Sequence, residues 1–306
     1  MVARTAMADR KQTAFALLAA AAVMAIAGCG ADGGAKEGSG TAGTPARTAA
    51  AAAPAASGGL PRSVVVLGHS GATGENSDPG QPGAEVRENS WATGTNPAVN
   101  SIYARILAKN PALKGHNSNL AQGGATVRDL VSQAELVGPL LPKPDLVLIQ
   151  IMDNDIDCPT TPAELATFGK TFRTALDTLA KAAPQSRWLV VSQFGSPTTW
   201  VKTLTRAQRK SLGSTGPCDL LDPAGRVVPE PLAKLERAIH SYESQLRVAC
   251  KRFTQCRYDG GAFGRTVDKA EYVSSDMNHS SIKGHAKAAA VAWTALRRAG
   301  LVPRSR

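Results

Sequence analysis

Two apolar runs constrain the fold more than anything else in the chain. Residues 64–68 read Val-Val-Val-Leu-Gly, and residues 145–152 read Asp-Leu-Val-Leu-Ile-Gln-Ile-Met. A strand with one wet face alternates apolar and polar residues. A short run that is apolar throughout, and rich in β-branched side chains, needs cover on both faces. Such strands belong to parallel sheets sandwiched between helices. The first run stops at Gly68-His69-Ser70-Gly71, where two glycines permit a sharp turn. A parallel strand ending in this way delivers Ser70 to the carboxyl edge of the sheet, where open α/β folds bind ligands. The plainer reading of the same stretch is a strand-to-loop turn with a capping serine.

The rest of the chain alternates in keeping with that start. After a Gly/Asn/Pro-rich loop over 72–97, a helix carries Ile102, Ile106 and Leu107 on one face. Asn117–Leu120 is a short second strand, followed by Gln122-Gly123-Gly124-Ala125-Thr126 and a helix with Val127, Leu130 and Val131. Beyond the 145–152 strand and Asp153-Asn154-Asp155, the residues Leu165, Phe168, Phe172, Leu176 and Leu179 recur at helical spacing. Trp188–Ser192 is the next strand. Leu232, Leu235, Ile239, Tyr242, Leu246 and Phe253 mark another helix, Cys256–Tyr258 a fifth strand, and about Ser281 to Ala299 the last helix, with Gly300 as its stop. The expected class is therefore α/β, three layers α/β/α, with a parallel sheet of about five strands.

The N-terminus reads as a targeting segment. Arg4, Arg10 and Lys11 precede an apolar stretch from Thr13 to Gly28, too short for a comfortable membrane span. It ends in Ile26-Ala27-Gly28-Cys29, which resembles the lipobox of bacterial lipoproteins; the alternative is a plain secretory signal. Residues 1–28 are thus expected to be a signal peptide and Cys29 the lipidated first residue. Residues 29–60, nearly all Ala, Gly, Ser, Thr and Pro after the cysteine, form a tether. The globular domain takes 61–306, at the extracellular face of a bacterial membrane. Secretion makes disulfides the expected fate of Cys158, Cys218, Cys250 and Cys256. Cys250 and Cys256 are close in sequence, and Cys158 and Cys218 each follow a strand at one sheet edge, so these are the expected pairs. A zinc site would want a CxxC or a His pair, and neither is present. The net charge of +11 and pI near 9.7 come without a Lys/Arg stripe interleaved with aromatics, so no nucleic-acid partner is expected. A monomer is.

Four separated stretches carry chemistry. Ser70 follows the first strand, Gly124 the second and Asn154 the third, and Asp276-Met277-Asn278-His279 lies near the C-terminus. A serine hydroxyl needs a base, and His279 can be one; a carboxylate three residues earlier, Asp276, can hold and charge-support that imidazole. Ser70 N–H, Gly124 N–H and the Asn154 amide can face an oxyanion. In this order the blocks resemble the SGNH (GDSL) hydrolase family, over Val64 to about Trp293. The resemblance implies a flavodoxin-like fold, Ser70, His279 and Asp276 as catalytic residues, and Gly124 and Asn154 as oxyanion donors alongside Ser70. It implies a secreted serine ester hydrolase working through an acyl-Ser70 intermediate, without a metal or organic cofactor, on a small-molecule, glycan or lipid ester. Within that class the alternatives are a carbohydrate O-acetyl esterase and a lipase or phospholipase. From another class, the alternative is a non-catalytic surface lipoprotein that binds glycan or lipid.

The chain departs from the family pattern twice. His69 stands where Gly-Asp-Ser has Asp, and Met152 stands where the third block has Gly. His69 is read as a structural hydrogen-bonding substitute. Gly68-His69-Ser70-Gly71-Ala72 also looks like an α/β-hydrolase nucleophile elbow, but that fold puts several strands before its serine. Asp153, Asp155, Asp157 and Glu164 match the spacing of a calcium loop, yet Cys158 occupies its glycine position and no helix precedes it, so the spacing is read as coincidence. His116, His240 and His285 are read as surface, helix or packing residues, and Trp91 as either core or a platform beside the site.

Overall fold

A computed structural model describes residues 59–213 and 218–303. The expected signal peptide and all but the last two residues of the tether, including Cys29, lie outside the described residues. The strands are β1 (Val64–Gly68), β2 (Asn117–Asn119), β3 (Leu146–Gln150), β4 (Arg187–Val190) and β5 (Cys256–Tyr258). They form one sheet in the order β2-β1-β3-β4-β5, every neighbouring pair parallel. This is the flavodoxin-like strand order, and its switch point falls at β1/β3.

β1 and β3 are buried at every position because alternate residues feed two cores. Val65, Leu67, Val147 and Ile149 join α3 (Val127–Leu136), α4 (Pro162–Ala182) and α7 (Pro229–Cys250). Val64, Val66, Leu146 and Leu148 join α2 (Ile102–Leu107), Trp91 and α8 (Ile282–Arg298). The period of two that a half-wet strand spends on polarity is spent here on two apolar layers. Trp91 is core, 1% exposed, with its Nε1–H donated to Gln150 Oε1 at 2.7 Å.

Some boundaries differ from the sequence reading. β3 ends at Gln150; Ile151 and Met152 are buried but have left the ladder. α7 stops at Cys250, so Phe253 belongs to the turn that follows and packs on Trp188, 5.4 Å between ring centroids. Between β4 and α7 the chain makes an excursion that periodicity did not reveal, containing α5 (Pro197–Thr203) and α6 (Arg206–Leu212).

The end of β1 is fixed by its backbone. Gly68 has φ +144°, and a Cβ there would sit 1.9 Å from the Gln150 carbonyl oxygen. Gln133, buried on α3, donates to the Gly68 carbonyl at 2.9 Å and accepts its N–H at 2.7 Å. Only glycine can let β1 approach β3 this closely while turning toward Ser70.

Candidate active site

Ser70 opens α1, a single turn over Ser70–Thr73 capped by the residue before it. His69 is 3% exposed, and its Nδ1 accepts the Gly71 N–H at 3.1 Å. The structural reading of His69 therefore holds, in the form of an N-cap. The loop bearing Gly124 lies next to it. Asn119 donates to the Ala72 carbonyl at 2.9 Å and so ties the end of β2 to α1. Gly124 has φ +73° in an open position.

Asn154 sits in a 3₁₀ turn, Asp153–Asp155, immediately after β3. Its Nδ2 donates to the Ala125 carbonyl at 3.0 Å, next to Gly124. The chain enters this turn through Met152 at φ +142°, a conformation that a side chain disfavours by about 1–3 kcal/mol. The backbone thus keeps a glycine-like geometry at the position where the block pattern has glycine. The far side of the turn is pinned: Asp155 accepts the Val127 N–H at 3.0 and 3.1 Å, and Tyr242 donates to the Asp155 carbonyl at 2.7 Å. Burial pushes the Asp155 carboxyl up to about 6, against the Val127 hydrogen bond.

His279 and Asp276 share one tight turn. Nδ1 of His279 lies 2.6 Å from Asp276 Oδ2. Asp276 Oδ1 accepts from the backbone N–H groups of His279 and Asn278, at 2.9 and 3.0 Å, and from the Ser274 hydroxyl. Burial works to raise the Asp276 pKa, but these bonds outweigh it and hold the group well below the usual carboxylate range. An ionised Asp276 makes Nδ1 a donor and leaves Nε2 as the basic atom. Asn76 Nδ2, 3.4 Å from the same Nδ1, is then a contact and not a second hydrogen bond. For His279, burial works to lower the pKa; Asp276 first, then Glu75 and Asp153, outweigh it, and the net shift is upward. Glu75 Oε1 is 3.8 Å from Nε2.

Ser70, Asn154 and His279 line one cavity of about 480 Å³, together with His69, Gln150 and Asp153. Asp276 reaches it through His279, and Gly124 is not among its lining residues. From the strand ends the lining continues onto Ile156, Trp200, Leu212, Leu220, Leu235 and Ile239. These apolar side chains come from the turn after β3, the excursion and α7. Several contacts hold the excursion. Cys158 is bonded to Cys218. The half-buried Asp268 accepts from Thr199 Oγ1 at 2.5 Å and from Ser196 N–H at 3.2 Å. Trp200 Nε1–H donates to the Met277 carbonyl at 2.9 Å, inside the Asp276–His279 turn. The second disulfide joins Cys250 to Cys256, so both expected pairs form.

Other candidates have structural places. Glu164 serves the capping box of α4, accepting the Thr161 N–H at 2.6 Å. Among the described residues, no group of three or more His, Cys, Asp or Glu could hold a metal ion. His285 is buried on α8 with its pKa lowered to about 4, chiefly by burial. His116 and His240 are exposed. The sequence did not reveal Glu75 or Trp200 as neighbours of the site, since neither adjoins one of its blocks, nor that Asp153, beside Asn154, would face His69.

A family model described as GDSL-like Lipase/Acylhydrolase matches residues 64–291. No curated protein matches. Solved structures of similar fold include phospholipase A1 from Streptomyces albidoflavus NA297 (16% identity, 76% of this chain and 98% of that chain, TM-score 0.47). An extracellular lipase from Streptomyces rimosus matches at 17% identity, over 76% and 99%, TM-score 0.45. An acetyl xylan esterase from Geobacillus stearothermophilus matches at 19%, over 80% and 96%, TM-score 0.45. With the family model spanning most of the chain, this protein belongs to the GDSL-like lipase/acylhydrolase family of ester-hydrolysing enzymes.

Proposed function

We propose that the chain is a secreted serine ester hydrolase whose cavity takes the acyl chain of its substrate on the apolar side. Ser70 Oγ attacks the ester carbonyl while His279 Nε2 takes its proton, and Asp276 supports the resulting imidazolium. The oxyanion is met by the N–H groups of Ser70 and Gly124 and the Asn154 amide. His279 returns the proton to the leaving alcohol. Water, deprotonated by the same Nε2, then attacks the acyl-Ser70 carbonyl; the acyl–Oγ bond breaks, His279 returns the proton to Ser70 Oγ, and the carboxylic acid is released. The observation that carries this reading is a single cavity with two unlike sides. Ser70 and an Asp276-held His279 belong to its polar lining, and Ile156, Trp200, Leu212, Leu220, Leu235 and Ile239 give it an apolar wall. That wall favours a lipid-like acyl group over acetyl. The N-terminal pattern supports export and attachment to a membrane through a lipid on Cys29. Turnover of aryl esters by the soluble domain tests the reading. The parent should hydrolyse them, and Ser70→Ala should lower kcat by several orders of magnitude. Parental kcat in Ser70→Ala would refute the assignment.

A further inference from the structure

His69 and Asp153, the residues on either side of the cleft between the Ser70 turn and the Asn154 turn, meet in a way that the reaction scheme above does not use. The Gly71 N–H can only donate, so His69 Nδ1 must offer it a lone pair. The neutral ring then carries its proton on Nε2. That atom is buried, has no aligned hydrogen-bond partner, and faces Asp153 Oδ2 at 3.3 Å. The His69 side chain is 4% exposed and that of Asp153 33%.

The pair joins the Ser70 turn to the Asn154 turn. The Asn154 turn is entered through the strained Met152 and has no side-chain cap. Its residues also bond to the Val127 N–H, the Ala125 carbonyl and the Tyr242 hydroxyl. On the Ser70 side, His69 is what Asp153 faces. Asp153 also places a negative charge next to Asn154, where an oxyanion would have to be stabilised.

We propose that His69 and Asp153 form a positioning pair that sets the spacing between the Ser70 turn and the Asn154 turn, and with it the oxyanion site. The inference rests on the Ser70 and Asn154 roles proposed above and concerns how they are held. It also bears on the first of the two departures: where the block pattern has a carboxylate beside Ser70, this chain has a histidine that faces a carboxylate on the Asn154 turn.

The experiment separates the cap from the pair. Asn at position 69 can still accept the Gly71 N–H through Oδ1 but is too short to reach Asp153. His69→Asn, Asp153→Ala, their double variant and Asp153→Asn are compared for kcat, KM and thermal midpoint on one aryl ester. A misplacement of about 1 Å costs up to about 100-fold in rate. His69→Asn and Asp153→Ala should therefore each lose about 10- to 100-fold in kcat with little change in KM. The double variant should be no worse than the worse single one, and Asp153→Asn, which keeps an acceptor oxygen, should recover most of the loss. Near-parental kcat in both single variants, or losses that multiply in the double variant, would overturn the proposal. So would a lowered melting point with kcat intact. Because Asp153 is partly exposed, its variants test the pair even if His69→Asn does not fold. Failure of the underlying catalytic reading would show separately, as turnover that survives Ser70→Ala.

Discussion

Leu235→Trp should shorten the acyl chain that the enzyme prefers. Leu235 lies on α7 and faces the cavity with Leu212 and Leu220. Each methylene of a substrate buried there is worth about 0.8 kcal/mol. With about 1.4 kcal/mol per tenfold, this is about fourfold in kcat/KM for each added carbon. From butyrate to octanoate the parent should therefore gain up to about 200-fold, an upper bound that assumes full burial of all four methylenes. An indole at 235 occupies that space, so the octanoate-to-butyrate ratio should collapse to a few-fold while butyrate hydrolysis falls far less. The assay is initial-rate hydrolysis of monomeric p-nitrophenyl esters of graded length, with circular dichroism to show that the variant is folded, since overpacking costs about 1–3 kcal/mol. An unchanged slope in a folded variant would show that the acyl chain lies elsewhere. A parental profile that peaks at acetate would refute the apolar wall as an acyl site.

The remaining predictions concern the base, the excursion and the anchor. His279 must be neutral to act, and its pKa is raised, so kcat/KM should fall as pH drops through a value above the ordinary histidine pKa of 6.5. Glu75→Gln removes one of the charges that raise it and should move that acidic limb to lower pH, measured as a full pH–rate profile. For stability the sign is the reverse: the pairing of His279 stabilises the fold below pH 6.5, and that contribution is lost as pH rises through the folded value. Asp276, held low, contributes above its ordinary 3.8, and the contribution disappears as pH falls toward the folded value. Losing the Cys158–Cys218 bond, which spans 60 residues, should cost about 4 kcal/mol by loop entropy, against about 2 kcal/mol for Cys250–Cys256, which spans 6. Because the former clamps the apolar wall, the variant with both Cys158 and Cys218 changed to Ser should lose octanoate hydrolysis faster than butyrate hydrolysis. Cys29→Ser in the full chain should abolish metabolic labelling with palmitate; equal labelling would remove the lipid anchor.

Legibility from the sequence followed how local each cause was. β1 and β3 are continuous apolar runs, and nothing but two-sided cover accounts for them. The Asp276–His279 pair was legible because its partners stand three positions apart in one turn. Boundaries were less so: Ile151 and Met152 are as apolar as the strand before them, and only ladder geometry shows that β3 has ended. Phe253 continued the helical spacing of α7, but the aromatic ring is used against Trp188 beyond the helix end.

The excursion was illegible for a different reason. α6 has no buried residue within it and α5 has two, so neither writes a stripe into the sequence. They are placed by contacts across the chain, through Asp268, Met277 and Cys158. The same distance hid the partners of Glu75 and Asp153. Glu75 meets His279 across 204 positions, and Asp153 meets His69 across 84, so both roles exist only once the sheet has gathered its loops. The calcium-like spacing of Asp153, Asp155 and Glu164 shows the converse: local regularity whose members are used separately, on His69, on Val127 and on the cap of α4.

Every step of the proposed reaction depends on acylation of Ser70. The soluble domain can be treated with a serine-directed alkyl phosphonate and the adduct located by intact-mass and peptide mass spectrometry. One adduct per chain is expected, on the peptide carrying Ser70, formed in step with loss of esterase activity and greatly slowed in His279→Ala. Complete loss of activity with the adduct on another residue, or full activity retained with Ser70 modified, would show that Ser70 is not the nucleophile.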